Sequence, residues 1–193
     1  MKVLVICTGN PGKRKEIEEM LPAAVRVLVP ADLGIRSELP ETGATLEENA
    51  LEKARHVHQL CGLPCMADDT GLEVDALNGR PGVYSARYAG SANDPVQNMT
   101  KLLGELEGVQ ERGARFRTVI AFVTKEGETC FEGRVEGHIA EKPAGDGGFG
   151  YDPLFIPEGR EETFAQMDPA DKNAIGHRGK AMARFLEHYR SLG

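Results

Sequence analysis

The order of apolar patterns along this chain predicts an α/β domain built on a mixed sheet. Residues 2–7 read as a buried strand that passes through a glycine-containing loop into an amphipathic helix, a strand-loop-helix unit. Past residue 113 the period changes, and residues 114–124 and 129–140 form long β-rich runs joined around Glu126-Gly127, the pattern of an antiparallel hairpin. A helical stripe then closes the chain. No linker, repeat or low-complexity tract interrupts it, so residues 1–193 are read as one domain.

Taken in order, the opening strand leads into the loop Thr8-Gly9-Asn10-Pro11-Gly12 and a helix over residues 13–21. Residues 25–29 give a second strand, and a long loop rich in Gly and Pro follows as far as Glu41-Thr42-Gly43. Thr45 and Glu48 have capping-box spacing, and the stripe Leu46, Ala50, Val57 and Leu60 predicts a helix through about Cys61. Lys53 lies on that stripe, either with its stem on the core and its ammonium in solvent or in a functional role. Residues 64–68 read as a third strand and residues 72–77 as strand-like. Residues 95–106 read as a helix closed by Gly108. After the glycine-rich residues 145–150 comes the short segment 151–156, and the last helix carries Met182, Phe185, Leu186 and Tyr189 as its buried stripe.

The chain has 193 residues, long enough for folding to bury roughly 70% of its extended-chain surface. Its 40% hydrophobic and 27% charged residues argue against disorder. A net charge of −7 disfavours nonspecific attraction to nucleic acid or to an anionic membrane surface, so an anionic ligand requires a local positive site or a metal. No stretch approaches the roughly 18 apolar residues of a spanning helix, and the opening apolar run is too short for a signal-peptide core. A cytoplasmic protein with Cys7, Cys61, Cys65 and Cys130 reduced is therefore expected. Cys61-x3-Cys65 has no second Cys/His pair at zinc-site spacing.

The densest chemical signal is Met66-Ala67-Asp68-Asp69-Thr70-Gly71, an apolar run that ends in two carboxylates, a hydroxyl and a glycine. Ionised carboxylates near a core must be paired, hydrogen-bonded or metal-bound, so the cluster points to a divalent cation; it also fits a solvated turn. The first loop is not a Walker loop, because Gly9 and Gly12 enclose two residues rather than four and Arg14 follows Lys13. Backbone N–H groups at a helix N-terminus, with Thr8, Asn10 and Lys13 beside them, still make a phosphate cradle. Residues 144–153 place four glycines around Phe149, a ring suited either to stacking on a base or to packing in the core. Lys172, His177 and Arg178 bring three potential cations to the start of the last helix, able to donate to a phosphate or a base carbonyl.

Seven motifs in register resemble the inosine triphosphate pyrophosphatase family, and the resemblance runs nearly end to end. They are Thr8-Gly9-Asn10-x-x-Lys13, Glu41-Thr42-Gly43, Glu48-Asn49-Ala50 with Lys53-Ala54, Asp68-Asp69-Thr70-Gly71-Leu72, Pro81-Gly82-x-Tyr84-Ser85-Ala86-Arg87, Gly148-Phe149-Gly150-Tyr151-Asp152-Pro153 and His177-Arg178. The resemblance implies hydrolysis of deaminated purine nucleoside triphosphates, ITP, dITP and XTP, to the monophosphate and pyrophosphate. It also implies an elongated mixed sheet with flanking helices, two lobes around a central cleft, a homodimer and Mg²⁺. Carried over by residue, Thr8, Gly9, Asn10, Pro11, Gly12 and Lys13 would contact the triphosphate. Glu41, Asp68 and Asp69 would hold the metal, with Asp69 the general base and Lys13 and Lys53 beside the phosphates. Thr70 would add a substrate contact, Phe149 would stack on the base beside Gly150, Tyr151 and Asp152, and Lys172, His177 and Arg178 would complete base recognition. The chain departs from the family at Gly176, where Ser is frequent, at Asp171, where Glu is frequent, and at Thr70 in place of Ser.

Two other readings stand beside this one. Asp69-Thr70-Gly71 also fits an aspartyl-phosphate site, although the usual Asp-x-Asp pairing is missing. A noncatalytic nucleotide-binding protein would bind without turnover, a reading that the retained carboxylates and lysines oppose.

Overall fold

The computed structural model describes residues 2–192. Its strands are β1 (Lys2–Ile6), β2 (Val25–Leu28), β3 (Cys65–Val74), β4 (Pro81–Gly82), β5 (Gly113–Thr124), β6 (Gly127–Ile139) and β7 (Phe155–Pro157). Its helices are α1 (Pro11–Met20), α2 (Leu46–Cys61), α3 (Pro95–Glu105), α4 (Pro169–Ile175) and α5 (His177–Ser191). The strand order is β2-β1-β3-β5-β6-β7, with β4 pairing β3. β1 runs parallel to β2 and β3, whereas β3 with β4 and β6 with β7 are antiparallel, so the sheet is mixed as expected.

The chain forms two compact units. The first comprises residues 1–69, 118–133 and 180–193, and the second residues 70–117 and 134–179. Each has its own apolar core. In the first unit Leu4, Ile6, Met66, Ile120 and Phe122 pack with Met182, Phe185, Leu186 and Tyr189, the stripe foreseen on the last helix. In the second, Leu72, Val74, Leu102, Phe116, Ile139, Leu154, Phe155 and Phe164 pack together, with the rings of Phe116 and Phe155 edge to face at 4.8 Å.

Local chemistry sets the ends of the elements. Asn10 caps α1 by accepting from the N–H groups of Gly12 and Lys13, and Pro11 takes the first helical position, so the helix starts two residues before the expected Lys13. The capping box of α2 is formed as its sequence predicts: Thr45 accepts from Glu48 N–H, and the Glu48 carboxylate accepts from Thr45 N–H. Gly62, at φ 68°, closes α2 in the left-handed region.

Four expectations are corrected. The predicted break after Asp68 is absent: β3 runs unbroken from Cys65 to Val74, and the strand-like stretch beyond it ends in a 3-10 turn at Asp75–Leu77. Asp68 and Asp69 are thus buried strand residues, 1% and 7% exposed, and not a solvated turn. Leu60 is 58% exposed, off the buried stripe of α2, which consists of Leu46, Asn49, Ala50, Lys53, Ala54 and Val57. The helix α4 lies where the sequence pattern predicts no element, and β7 shares only two residues with the segment 151–156.

Candidate active site

In the first unit, β1 and β3 pair in parallel with Val5 opposite Cys65 and Ile6 opposite Met66. Asp68 and Asp69 therefore follow the carboxyl end of β1, where Thr8 begins the loop to α1, a usual place for ligand sites in α/β sheets. Lys13, on the first turn of α1, reaches Asp68 Oδ2 at 3.2 Å. Lys53, on the buried face of α2, reaches Glu41 Oε1 at 2.6 Å and Asp69 Oδ1 at 3.3 Å. At 4% exposure its ammonium does not snorkel to solvent. Burial opposes its charge, but Asp69, Glu41 and Asp68 together outweigh that penalty and hold its pKa above the ordinary lysine value. Lys53 is thus a fixed cation and not a base.

The loop before α1 differs from a ready anion nest. The N–H groups of Gly12 and Lys13 bond to Asn10 Oδ1 at 2.9 and 3.1 Å, and Asn10 N–H bonds to Thr8 Oγ1 at 3.1 Å. A phosphate meeting this loop would find the Lys13 ammonium and the positive end of α1 rather than a set of unused amides. Around Gly9 the backbone is open, with nothing within 4 Å of a Cβ built there.

Glu41, Asp68 and Asp69 offer carboxylate oxygens, the hard donors that Mg²⁺ selects. Glu41 and Asp69 converge on one atom, Lys53 Nζ, so two of the three already share a cation. Among the described residues no group of three or more His, Cys, Asp or Glu side chains encloses a metal site. The donor set fits an ion held by one or two carboxylates and completed by other ligands, which is the usual Mg²⁺ arrangement with phosphates.

In the second unit, Phe149 is only half-buried and lies outside the core cluster, which disfavours the core-packing reading of its ring. Lys172 Nζ and Arg178 Cζ stand 5.0 and 5.5 Å from its centroid. Asp152 fixes this group: its Oδ2 accepts from Phe149 N–H at 2.7 Å and from Lys172 Nζ at 2.6 Å. Arg178 donates to Thr70 Oγ1 at 3.1 Å, and the His177 ring stacks on Phe116 at 4.7 Å. Lys172, His177 and Arg178 are all buried. Tyr151 is buried as well, with its hydroxyl donating to Ser85 O at 2.8 Å, and burial pushes its phenol pKa up so that it remains a donor. Gly150 adopts φ 63° in the turn that follows Phe149. At Gly176, a Cβ would come within 2.7 Å of Lys172 O, so the departure from Ser suits the tight junction of α4 and α5.

The site residues expected on the first unit gather beyond the carboxyl end of β1, in the middle of β3, on α1 and α2 and in the Glu41 segment; on the second unit Asp152, Lys172 and Arg178 surround Phe149, Thr70 joins them through Arg178, and His177 packs on Phe116 instead. Two residues with no assigned role join the first group. Asn49 and Glu52, both on α2, hold the Glu41-Thr42-Gly43 segment. The available signal was Asn49 itself, a polar residue three positions after Leu46 on the face that also carries Lys53.

A model of the Ham1 family matches residues 4–188. The chain belongs to the Ham1 family. Among its Ham1 relatives is a protein of Porphyromonas gingivalis named dITP/XTP pyrophosphatase, 50% identical over 188 residues and covering 97% of each chain. A Bacillus subtilis protein of the same name is 47% identical over 189 residues, 96% of each chain. Of solved structures, the Staphylococcus aureus Ham1 protein superposes with a TM-score of 0.91 at 36% identity, covering 100% of both chains. A Mycobacterium abscessus structure described as a nucleoside-triphosphatase and dITP/XTP pyrophosphatase gives 0.78 at 45% identity, covering 95% of this chain and 98% of that one.

Proposed function

We propose that this Ham1 chain hydrolyses deaminated purine nucleoside triphosphates, ITP, dITP and XTP, to the monophosphate and pyrophosphate, with Mg²⁺ as cofactor. The observation that carries the reading is the Glu41–Lys53–Asp69 bridge, buried at Lys53 and Asp69, beside the Lys13–Asp68 pair, a set of carboxylates and cations suited to a polyphosphate. The names of the relatives support the substrate class.

Residues of the first unit take the triphosphate. Asp69 accepts the proton of the attacking water, and Lys13 and Lys53 stabilise negative charge on the departing pyrophosphate. Glu41, Asp68 and Asp69 would hold the metal, which when bound neutralises phosphate charge and acidifies water. Phe149 stacks on the purine. Hypoxanthine and xanthine present O6 as an acceptor, which His177 and Arg178 meet, whereas adenine presents an amino group. An amino group cannot accept from those donors, which selects against adenine. Guanine shares O6, so its rejection acts at the 2-amino edge.

The homodimer and the cytoplasmic location are proposed on the family resemblance and the composition. Among the described residues, no helix is long and apolar enough to cross a membrane. Sedimentation would refute the dimer by finding a species of one chain's mass at micromolar concentration.

The deciding experiment incubates the protein with dITP, XTP, dATP and dGTP at equal concentration, with and without Mg²⁺, and separates pyrophosphate from orthophosphate. Metal-dependent pyrophosphate from dITP and XTP, with little from dATP or dGTP, is expected. Orthophosphate as the direct product would move the cut to the terminal phosphate and overturn the reading, and binding without turnover would leave a nucleotide-binding protein.

A further inference from the structure

Helix α2 carries, one turn before Lys53, a second buried polar side chain. Asn49 is fully buried. Its Nδ2 donates to Asp69 Oδ2 at 3.2 Å, and its Oδ1 accepts from the Gly43 N–H at 2.8 Å. The amide orientation follows from the chemistry: a backbone N–H only donates, so the atom facing Gly43 is the oxygen and the amino group faces the carboxylate. Lys53 meets the other oxygen of the same carboxylate, Asp69 Oδ1, at 3.3 Å. One face of one helix therefore grips Asp69 at both oxygens.

The same helix holds the backbone that bears Glu41. Glu52 accepts from Thr42 N–H and from Thr42 Oγ1, each at 2.8 Å. Gly43 lies so close to α2 that a Cβ there would meet Glu48 Cβ at 2.5 Å and Asn49 Oδ1 at 3.0 Å. The Asn49 amide accepts from Gly43 with one atom and donates to Asp69 with another, a span that a single hydroxyl oxygen does not cover. An aspartate would accept but repel, and an aliphatic side chain would do neither.

We propose that Asn49 is a positioning residue for the reaction. Its amide fixes the rotation of the Asp69 carboxylate, whose terminal torsion is otherwise broad, and ties it to the segment that carries Glu41. The lone pair that takes the proton from water is thereby aimed before substrate arrives. The inference rests on the reading of Asp69 as the general base.

The test uses three variants of the full chain, assayed for pyrophosphate release from dITP. Asn49→Ser cannot span Gly43 and Asp69 together, and should lower kcat about 100-fold while KM stays within about threefold, measured below its own, lowered melting temperature. Asn49→Asp keeps the acceptor for Gly43 and lacks the donor for Asp69, so it should show the same loss of kcat. Glu52→Ala frees Thr42 without touching Asp69, so it measures what loosening the Glu41 segment costs by itself, and should lower kcat at least tenfold less than Asn49→Ser does. Wild-type kcat in either Asn49 variant overturns the proposal, as does an equal loss in Glu52→Ala, since the loop would then carry the effect. If Asn49→Asp does not fold, Asn49→Ser and Glu52→Ala decide. The wild-type protein runs in the same series: absence of metal-dependent release there defeats the functional reading, whereas release that Asn49→Ser leaves intact defeats the positioning role alone.

Discussion

Exchanging Asp69 for asparagine keeps the shape of the side chain and removes the charge proposed to take a proton. Turnover of dITP should fall by about 1,000-fold or more, within the range for a lost general base, while circular dichroism stays that of the wild type. A variant that keeps its activity would remove Asp69 from that role. Lys53 has a different task, because its ammonium is buried against Glu41 and Asp69. Lys53→Met leaves those carboxylates facing each other and should cost about 3 kcal/mol of stability as well as activity, read as a lower urea midpoint. At Gly148 the constraint is steric. Its φ is +67°, and an added Cβ would collide with the Asp152 carboxylate that holds Phe149 N–H and Lys172. Gly148→Ala should therefore raise KM for dITP more than it lowers kcat, since it shifts the Phe149 ring proposed to stack on the base; an unchanged KM would argue against that stacking.

At the scale of the element, α2 does most to build the catalytic half, and its first turn depends on one box. Thr45→Ala should cost about 1 kcal/mol, measured by chemical denaturation, and a neutral result would show that Glu48 caps alone. The same helix is tied to β6 through Arg55, which forms a bidentate pair with Glu128. Glu128 is held below its ordinary value of 4.5, first by that hydrogen bond. A carboxylate depressed in the folded state contributes stability above 4.5 and loses it as pH falls through its lower folded value. Urea midpoints should drop below that pH, and Glu128→Gln should flatten part of the drop. The capping box, the buried stripe of α5 and the β5–β6 hairpin were legible because their signals are local and periodic. The unbroken β3 was not, since Asp-Asp-Thr-Gly carries turn propensity that pairing and burial override. Nor was α4, whose seven residues are too few for a periodic stripe, although Asp168-Pro169 is a sound start signal.

At the scale of the whole molecule, the charged residues of the site were legible as types and their partners were not. Lys53 and Asp69 are 16 residues apart, and Lys172 and Asp152 are 20 apart, beyond the reach of any local pattern. The family resemblance implied two lobes, but which segments compose each unit was hidden from any local pattern, because each is assembled from separated stretches. The chain passes between them after residues 69, 117, 133 and 179, which fall inside β3, β5, β6 and α5. No passage is a loop, so limited proteolysis of the native protein should cut within one unit or the other, at exposed turns, and should never release either unit whole. A stable fragment ending near residue 69 or 117 would contradict this. For engineering, the same routing means that base preference cannot be transplanted as a cassette. Grafting the half that carries Phe149, Lys172 and Arg178 into another Ham1 protein would need two inserts and four splice points, each in the middle of a hydrogen-bonded element, so altered selectivity is better sought one side chain at a time.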